Sequence, residues 1–269
     1  MPMACLKALS PPLHHHLPTL RRRLHRCSGA SAFRIPSAAS SSSVAAVTTP
    51  IEHIVLIKVR PEAADSGAAA AMVSALQALG TQVPGLAHIH AGPVLRLGSP
   101  AAAALGPTHV LHSRYATEND LHAYAAHPAH VAAVGAHVAP NALDATAVDW
   151  VNAAPAPSPL APGAVVRLTL AKAKDGLAPG EVVEVVTAAT QAAAELMGAE
   201  VRFGVSFGEN FSPARAKGYQ FGMVVVFDSV EELDAVEGNE KVLEARAGVR
   251  SRLDDVLVLD FVVGPADQC

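Results

Sequence analysis

From residue 51 onward, short apolar runs alternate with Ala-rich segments of helical spacing, and the whole series occurs twice. A β-rich run at 51–59 leads to a helical pattern at 67–80. Two strand runs follow at 86–94 and 108–116, then helical sequence at 118–138 and a closing strand at 145–151. The second series reads 165–171, 180–197, 200–209, 219–227, 230–250 and 255–262. Residues 106–124 lie on 218–236 without a gap, at an offset of 112. The helix starts agree as well. Thr117-Glu-Asn-Asp120 and Ser229-Val-Glu-Glu232 are capping-box patterns, in which a hydroxyl accepts from exposed first-turn amides and an acid stands three residues later. Pro128 suits the first turn of a further helix.

Strand, helix, two strands, helix, strand predicts a ferredoxin-like α+β unit with an antiparallel sheet. The run at 51–59 is apolar on both faces, with Ile51, Val55, Ile57 and Val59 on one and Ile54 and Leu56 on the other. Helices cover one face, and the natural cover for the second is the sheet of the other copy. The expected architecture is therefore two ferredoxin-like repeats forming a dimeric α+β barrel within one chain, around a shared interior. Residues 152–163 carry Pro155, Pro157, Pro159 and Pro162 and read as an extended linker. The expected layout is a leader at 1–50, repeat 1 at 51–151, the linker, repeat 2 at 164–263 and a tail at 264–269.

Charge divides the chain further. Residues 1–50 contain Lys7, Arg21, Arg22, Arg23, Arg26 and Arg34 but no acid, whereas 51–269 holds 14 of the 20 basic residues and all 24 acidic ones. The basic, Ser-rich leader has the composition of an organelle transit peptide, the other readings being a disordered tail or a misplaced start. The expected destination is the chloroplast, with mitochondrion or peroxisome as alternatives. The terminal Asp267-Gln268-Cys269 is not an S-K-L type of address. An acidic body has no general attraction for nucleic acid or anionic lipid. No apolar run reaches the roughly 18 residues of a membrane helix, so neither nucleic acid nor membrane is an expected partner. Cys5, Cys27 and Cys269 lie outside the two repeats, which leaves no disulfide pair and no cysteine metal site within them.

Several stretches resemble the stress-responsive A/B barrel (Dabb) domain. They are His53-Ile-Val-Leu-Ile-Lys-Val, Pro84-Gly-Leu86, Gly106-Pro-Thr-His109, Leu121-His-Ala-Tyr-Ala-Ala-His-Pro-Ala-His130-Val and Val148-Asp-Trp150. The Tyr-x-x-His-Pro-x-His stretch is the most specific of these. Repeat 1 matches end to end, and repeat 2 matches in layout without that stretch. The resemblance implies a role associated with stress response and a barrel that single domains build by dimerising, here closed within the chain, with room for a further homodimer. It extends distantly to the polyketide cyclase olivetolic acid cyclase. That likeness implies a catalytic tyrosine and histidine at Tyr124 and His130, a further site histidine at His53, and a small polyketide-like ligand handled without a cofactor.

The residues themselves restrict where such chemistry sits. Of 13 histidines, nine lie in repeat 1 and none in repeat 2. Where repeat 1 has His109, His112, Arg114, Tyr124, His127 and His130, repeat 2 has Phe221, Val224, Val226, Val236, Asn239 and Val242. His130 falls in a first helical turn, where the helix dipole favours a neutral imidazole able to act as a base. A nearby phenol donates to a developing enolate, and the pair supplies the proton shuttling of an aldol-type cyclisation. Capping or packing is the plainer account of both residues. His53 alternates with Val55 and Ile57 and is expected to face an apolar interior, as a buried core histidine or a third site residue at the barrel mouth. His88 with His90, and His127 with His130, each offer two metal ligands. No carboxylate or thiolate joins them at ligand spacing, so no metal site is expected. Two functions stay open: a small-ligand-binding barrel with cyclase-type chemistry, and a non-catalytic protein whose packed barrel acts through stability, assembly or partners. A cavity of roughly 300 Å³ at Tyr124, His130 and His53 favours the first.

Overall fold

The computed structural model describes residues 49–152, 160–177, 180–184 and 204–264. Most of the leader, the proline run of the linker, the expected helix beyond 184 and the end of the tail lie outside the described residues. Repeat 1 comprises β1 (Ile51–Val59), α1 (Pro61–Asp65), α2 (Ala68–Gln77), α3 (Leu79–Gln82), β2 (Leu86–Leu97), α4 (Pro100–Leu105), β3 (His109–Tyr115), α5 (Glu118–Ala126), α6 (Pro128–Ala133) and β4 (Ala142–Val151). Repeat 2 comprises β5 (Val165–Ala173), β6 (Gly204–Glu209), β7 (Phe221–Phe227), α7 (Val230–Glu237), α8 (Glu240–Arg250) and β8 (Leu253–Val262), and residues 180–184 are helical.

All eight strands form one antiparallel sheet in the order β4-β1-β3-β2-β8-β5-β7-β6. Each repeat contributes the same ferredoxin-like order, with its first strand in the middle. β2 of repeat 1 joins β8 of repeat 2 through Val94↔Phe261 and Leu97↔Leu259. The outer strands β4 and β6 meet at a bridge between Trp150 and Asn210. There the Asp149 amide donates to Asn210 Oδ1 (3.1 Å) and the Phe211 amide donates to the Asp149 carbonyl (3.0 Å). The sheet thus returns on itself, and the two repeats make the α+β barrel that the doubly apolar first strand requires.

Strand alternation assigns the two faces. Ile54, Leu56, Val110, Val148 and Trp150 point inward, and meet Val166, Leu168, Leu170, Val224, Leu257, Leu259 and Phe261 in one core. Ile51, Ile57, Val59, Leu111 and Tyr115 point outward to Met72, Leu76, Leu79, Leu121 and Tyr124 of the helices. Trp150 fills the closing seam. Its indole lies against Gly208 and Gly222, where a β-carbon would stand 2.9 Å and 2.3 Å from ring atoms, and its Nε1 donates to Ser206 Oγ at 3.0 Å.

The capping boxes form as read. The Thr117 and Ser229 hydroxyls accept from the Asp120 and Glu232 amides at 3.2 Å each. The helical sequence at 118–138 divides at His127 (φ −65°, ψ 134°), with the further helix starting at Pro128 as expected, because proline disfavours a helical residue before it. His127 becomes an N-cap whose Nδ1 accepts from the Ala129 amide (3.2 Å), and the helical segment ends in a π-helical turn at Val134–Val138. β2 runs three residues past its expected end to pair with β8, and α4 follows it unforeseen.

Candidate functional site

β1 places His53 opposite Asp149 of β4 and opposite Ser113 of β3, all on the helix-facing side of the sheet. Tyr115 ends β3 on that same face. α5 lays Tyr124 over the group, and the break at His127 turns α6 so that His130 meets Tyr124. Ring centroids are 4.4 Å apart for Tyr124 and His130, 5.3 Å for Tyr124 and Tyr115, and 6.3 Å for Tyr124 and His53. The three residues singled out from the sequence therefore converge. His53 is buried and hydrogen-bonded, as the plainer expectation had it, but the barrel interior is not the face it looks onto. The interior belongs to Glu52, Ile54 and Leu56, and His53, one residue out of phase with them, faces the helix layer among Tyr115, Tyr124 and Asp149.

Hydrogen bonds fix the states of these groups. His53 Nδ1 pairs with Asp149 Oδ1, both buried. Burial alone would raise the Asp149 carboxyl. The charge and hydrogen bond of His53, a hydrogen bond from Ser212 and the Arg215 guanidinium outweigh it and hold the group below the usual carboxylate range. Tyr115 and Tyr124 are both pushed above the ordinary phenol range, chiefly by burial, and stay protonated. Ser113 Oγ lies 3.0 Å from the Tyr115 hydroxyl, which in turn bonds Tyr124. His130 Nδ1 donates to the Ala125 carbonyl at 3.0 Å, which leaves Nε2 with the lone pair. Burial first, then the nearby cationic groups, lowers His130 against the pull of that carbonyl, so its imidazole is neutral at neutral pH. His130 is half-buried and Arg215 is exposed, whereas Tyr124 and His53 are 1% and 5% exposed. The group has a closed floor and an outer rim.

The sequence reading missed Asp149, Tyr115, Ser113 and Arg215. Asp149 carried a signal, as an acid inside an apolar closing strand that recurs as Asp260. Arg215 carried none, since it comes from the β6–β7 connection of repeat 2 and lies 3.7 Å from Asp149 Oδ2. Repeat 2 shows the same place without the chemistry. Arg167 stands where His53 does and clamps Asp260 from Nε (2.8 Å) and Nη2 (3.0 Å). Arg167 also pairs with Glu237, which Arg246 shares, and Arg96 closes on Asp260 at 2.7 Å. An ion-pair network fills the position that a histidine, two tyrosines and a second histidine occupy in repeat 1.

A second polar group lies inside the barrel. Glu52, His88, His112 and Arg114 are all buried there, and one ligand atom each of Glu52, His88 and His112 falls within 4.8 Å of the others. The expectation of no metal site rested on the lack of a carboxylate near the histidines in sequence. Glu52 reaches them across the sheet, a proximity that β-pairing creates and linear spacing does not show.

These features define a two-repeat, closed α+β barrel with one elaborated polar site and one ion-paired counterpart. The profile of the stress-responsive A/B barrel domain matches residues 51–152 and again 165–263, and the chain belongs to that family. It is similar to a stress-response A/B barrel domain-containing protein of Arabidopsis thaliana, at 36% identity over 85% of this chain and 86% of that one. It is also similar to a second Arabidopsis thaliana protein of the same description, at 34% identity over 79% of this chain and 96% of that one. Among solved structures, a putative monooxygenase from Fusobacterium nucleatum superimposes with TM-score 0.60 at 9% identity, covering 81% of this chain and 93% of the other. An anthrone oxidase-like protein superimposes with TM-score 0.55 at 12% identity, covering 82% and 94%. These two show the shared fold.

Proposed function

We propose that repeat 1 binds a small polyketide-like or other carbonyl ligand where His130 of the rim meets Tyr124 of the floor, and performs cofactor-independent proton transfer on it. The observation that carries this reading is the asymmetry of the two repeats: His53–Asp149, Tyr115, Tyr124 and His130 gather in repeat 1 where repeat 2 has the Arg167–Asp260 clamp. A purely structural position is served by the clamp. The hydrogen-bond chain running from Ser113 through Tyr115 leaves the Tyr124 O–H to donate to a ligand carbonyl. His130 Nε2 then takes the proton from the carbon beside that carbonyl. The C–H electron pair moves into the new C=C bond, and the enolate oxygen is held by Tyr124. When the enolate carbon attacks a second carbonyl of the same ligand, the imidazolium returns its proton to the alkoxide. Asp149 holds His53 in one orientation beside this path and supplies negative charge for the imidazolium that forms.

Calorimetric titration with benzoylacetone, a 1,3-diketone probe, tests the reading. Binding to the wild type that Tyr124→Phe or His130→Ala abolishes, with the melting temperature nearly unchanged, supports it. A specific observation favours a second reading: the barrel interior is packed, and Tyr124 itself is 1% exposed. In that reading the protein is non-catalytic and acts through stability, assembly or partners, and the same substitutions lower the melting temperature without any ligand effect. We also assign residues 1–50 to chloroplast import, tested by the location of a fluorescent protein fused to them.

A further inference from the structure

The interior group of repeat 1 has features that neither packing nor the rim chemistry uses. Its positions in repeat 2 show what a structural solution looks like: Val224 and Val226 replace His112 and Arg114, and Val166 lines the same core. Buried charged groups confer no net stability over well-packed apolar ones, so stability does not account for the polar set. Ring centroids are 4.7 Å apart for His88 and His112 and 5.0 Å for His88 and His90. His88 is 8% exposed, and neither of its ring nitrogens has a hydrogen-bond partner among the described residues. His112 is fully buried, and its Nδ1 is likewise unpartnered there. Orphaned buried nitrogens are costly, and native interiors retain few without a reason.

Glu52 divides its two oxygens. Oε1 accepts from Arg114 Nε (2.9 Å) and Asn152 Nδ2 (3.1 Å), and Arg114 Nη2 forms an ion pair with it at 2.7 Å. Among the described residues, Oε2 accepts only from His112 Nε2, at 2.8 Å. One oxygen is thus anchored by a cation and an amide while the other faces two imidazoles, the arrangement of a supported metal-ligating carboxylate. We propose that Glu52 Oε2, His88 and His112 bind one first-row divalent cation of the zinc class, with Arg114 and Asn152 as the groups that orient Glu52. On binding, the His112 proton moves from Nε2 to the unpartnered Nδ1, and Nε2 turns its lone pair to the metal. Two imidazoles and a carboxylate are a ligand set that zinc accepts.

The test uses the full chain, unfolded with chelator, refolded with zinc sulfate and dialysed. Retention of one zinc per chain, a higher melting temperature with zinc than without, and loss of both effects in His88→Gln and His112→Gln are the expected results. Cobalt in place of zinc should give the strong visible bands of a low-coordinate site. A wild type that retains no zinc overturns the proposal whatever the variants do. So does retention unchanged in His88→Gln.

Discussion

Gly222→Ala puts the closed, filled barrel under direct strain. The added carbon would stand 2.3 Å from Cζ3 and 2.4 Å from Cε3 of Trp150, against an ordinary carbon contact of about 3.5–4.0 Å. The indole must retreat by more than about 1 Å. It has little room, being fully buried, tied to Ser206 and backed by Gly208. Overpacking of this kind costs about 1–3 kcal/mol, and an enclosed ring belongs at the upper end. For a folded unit of this size, about 3 kcal/mol lowers the melting temperature by roughly 6–12 °C. Circular dichroism melts measure the shift, and the chain's one tryptophan reports the displacement through its emission. Trp150→Leu in the Gly222→Ala background should recover stability relative to the two single changes summed, a coupling that a double-mutant cycle reads directly. An unchanged melting temperature and emission in Gly222→Ala would refute the packed seam.

Other consequences follow from the same geometry. His90 is lowered from 6.5 to about 4, first by burial and then by His112 and Arg114, and His88 and His130 are also lowered, chiefly by burial. Below pH 6.5 the unfolded chain therefore binds protons that the folded one refuses, and stability falls as pH drops toward 4. The depressed Asp149 and Glu52 carboxyls add losses at lower pH still. A urea midpoint at pH 5 below that at pH 7.5 is expected, and equal midpoints would count against the buried neutral histidines. Thr117→Ala removes the cap on α5 and should cost about 1 kcal/mol by denaturant melts. Arg114→Leu leaves the fully buried Glu52 without its cation and should cost about 3–5 kcal/mol, whereas exchange at an exposed arginine such as Arg252 stays near zero.

Much of the barrel was legible because it is written in local periodicity. β1 needed cover on both faces, the repeat offset named the cover, and Thr117 and Ser229 marked their helices. The seam was not legible. Trp150 and Gly222 are far apart in sequence, and a glycine in a strand signals only that something approaches closely. The site divided in the same way. Tyr124, His130 and His53 lie in one motif-bearing repeat, so residue type and resemblance reached them. Asp149 is brought to His53 by strand register, Arg215 by a loop of the other repeat, and Glu52 to His88 and His112 by the order β1-β3-β2. His53 was assigned the wrong surroundings for a related reason. Alternation separates two faces, but only the tertiary fold says which one meets helices.

The central claim is that the repeat 1 cluster moves protons and does not merely pack. Deuterium exchange into the methyl group of acetophenone in D₂O, followed by proton NMR, measures this most directly. The account predicts exchange faster with the wild type than in buffer. Tyr124→Phe and His130→Ala should each reduce that exchange by about 10²-fold, the usual scale of a general acid or base, while both variants stay folded. Exchange no faster than buffer, or equal in the wild type and both folded variants, would contradict it.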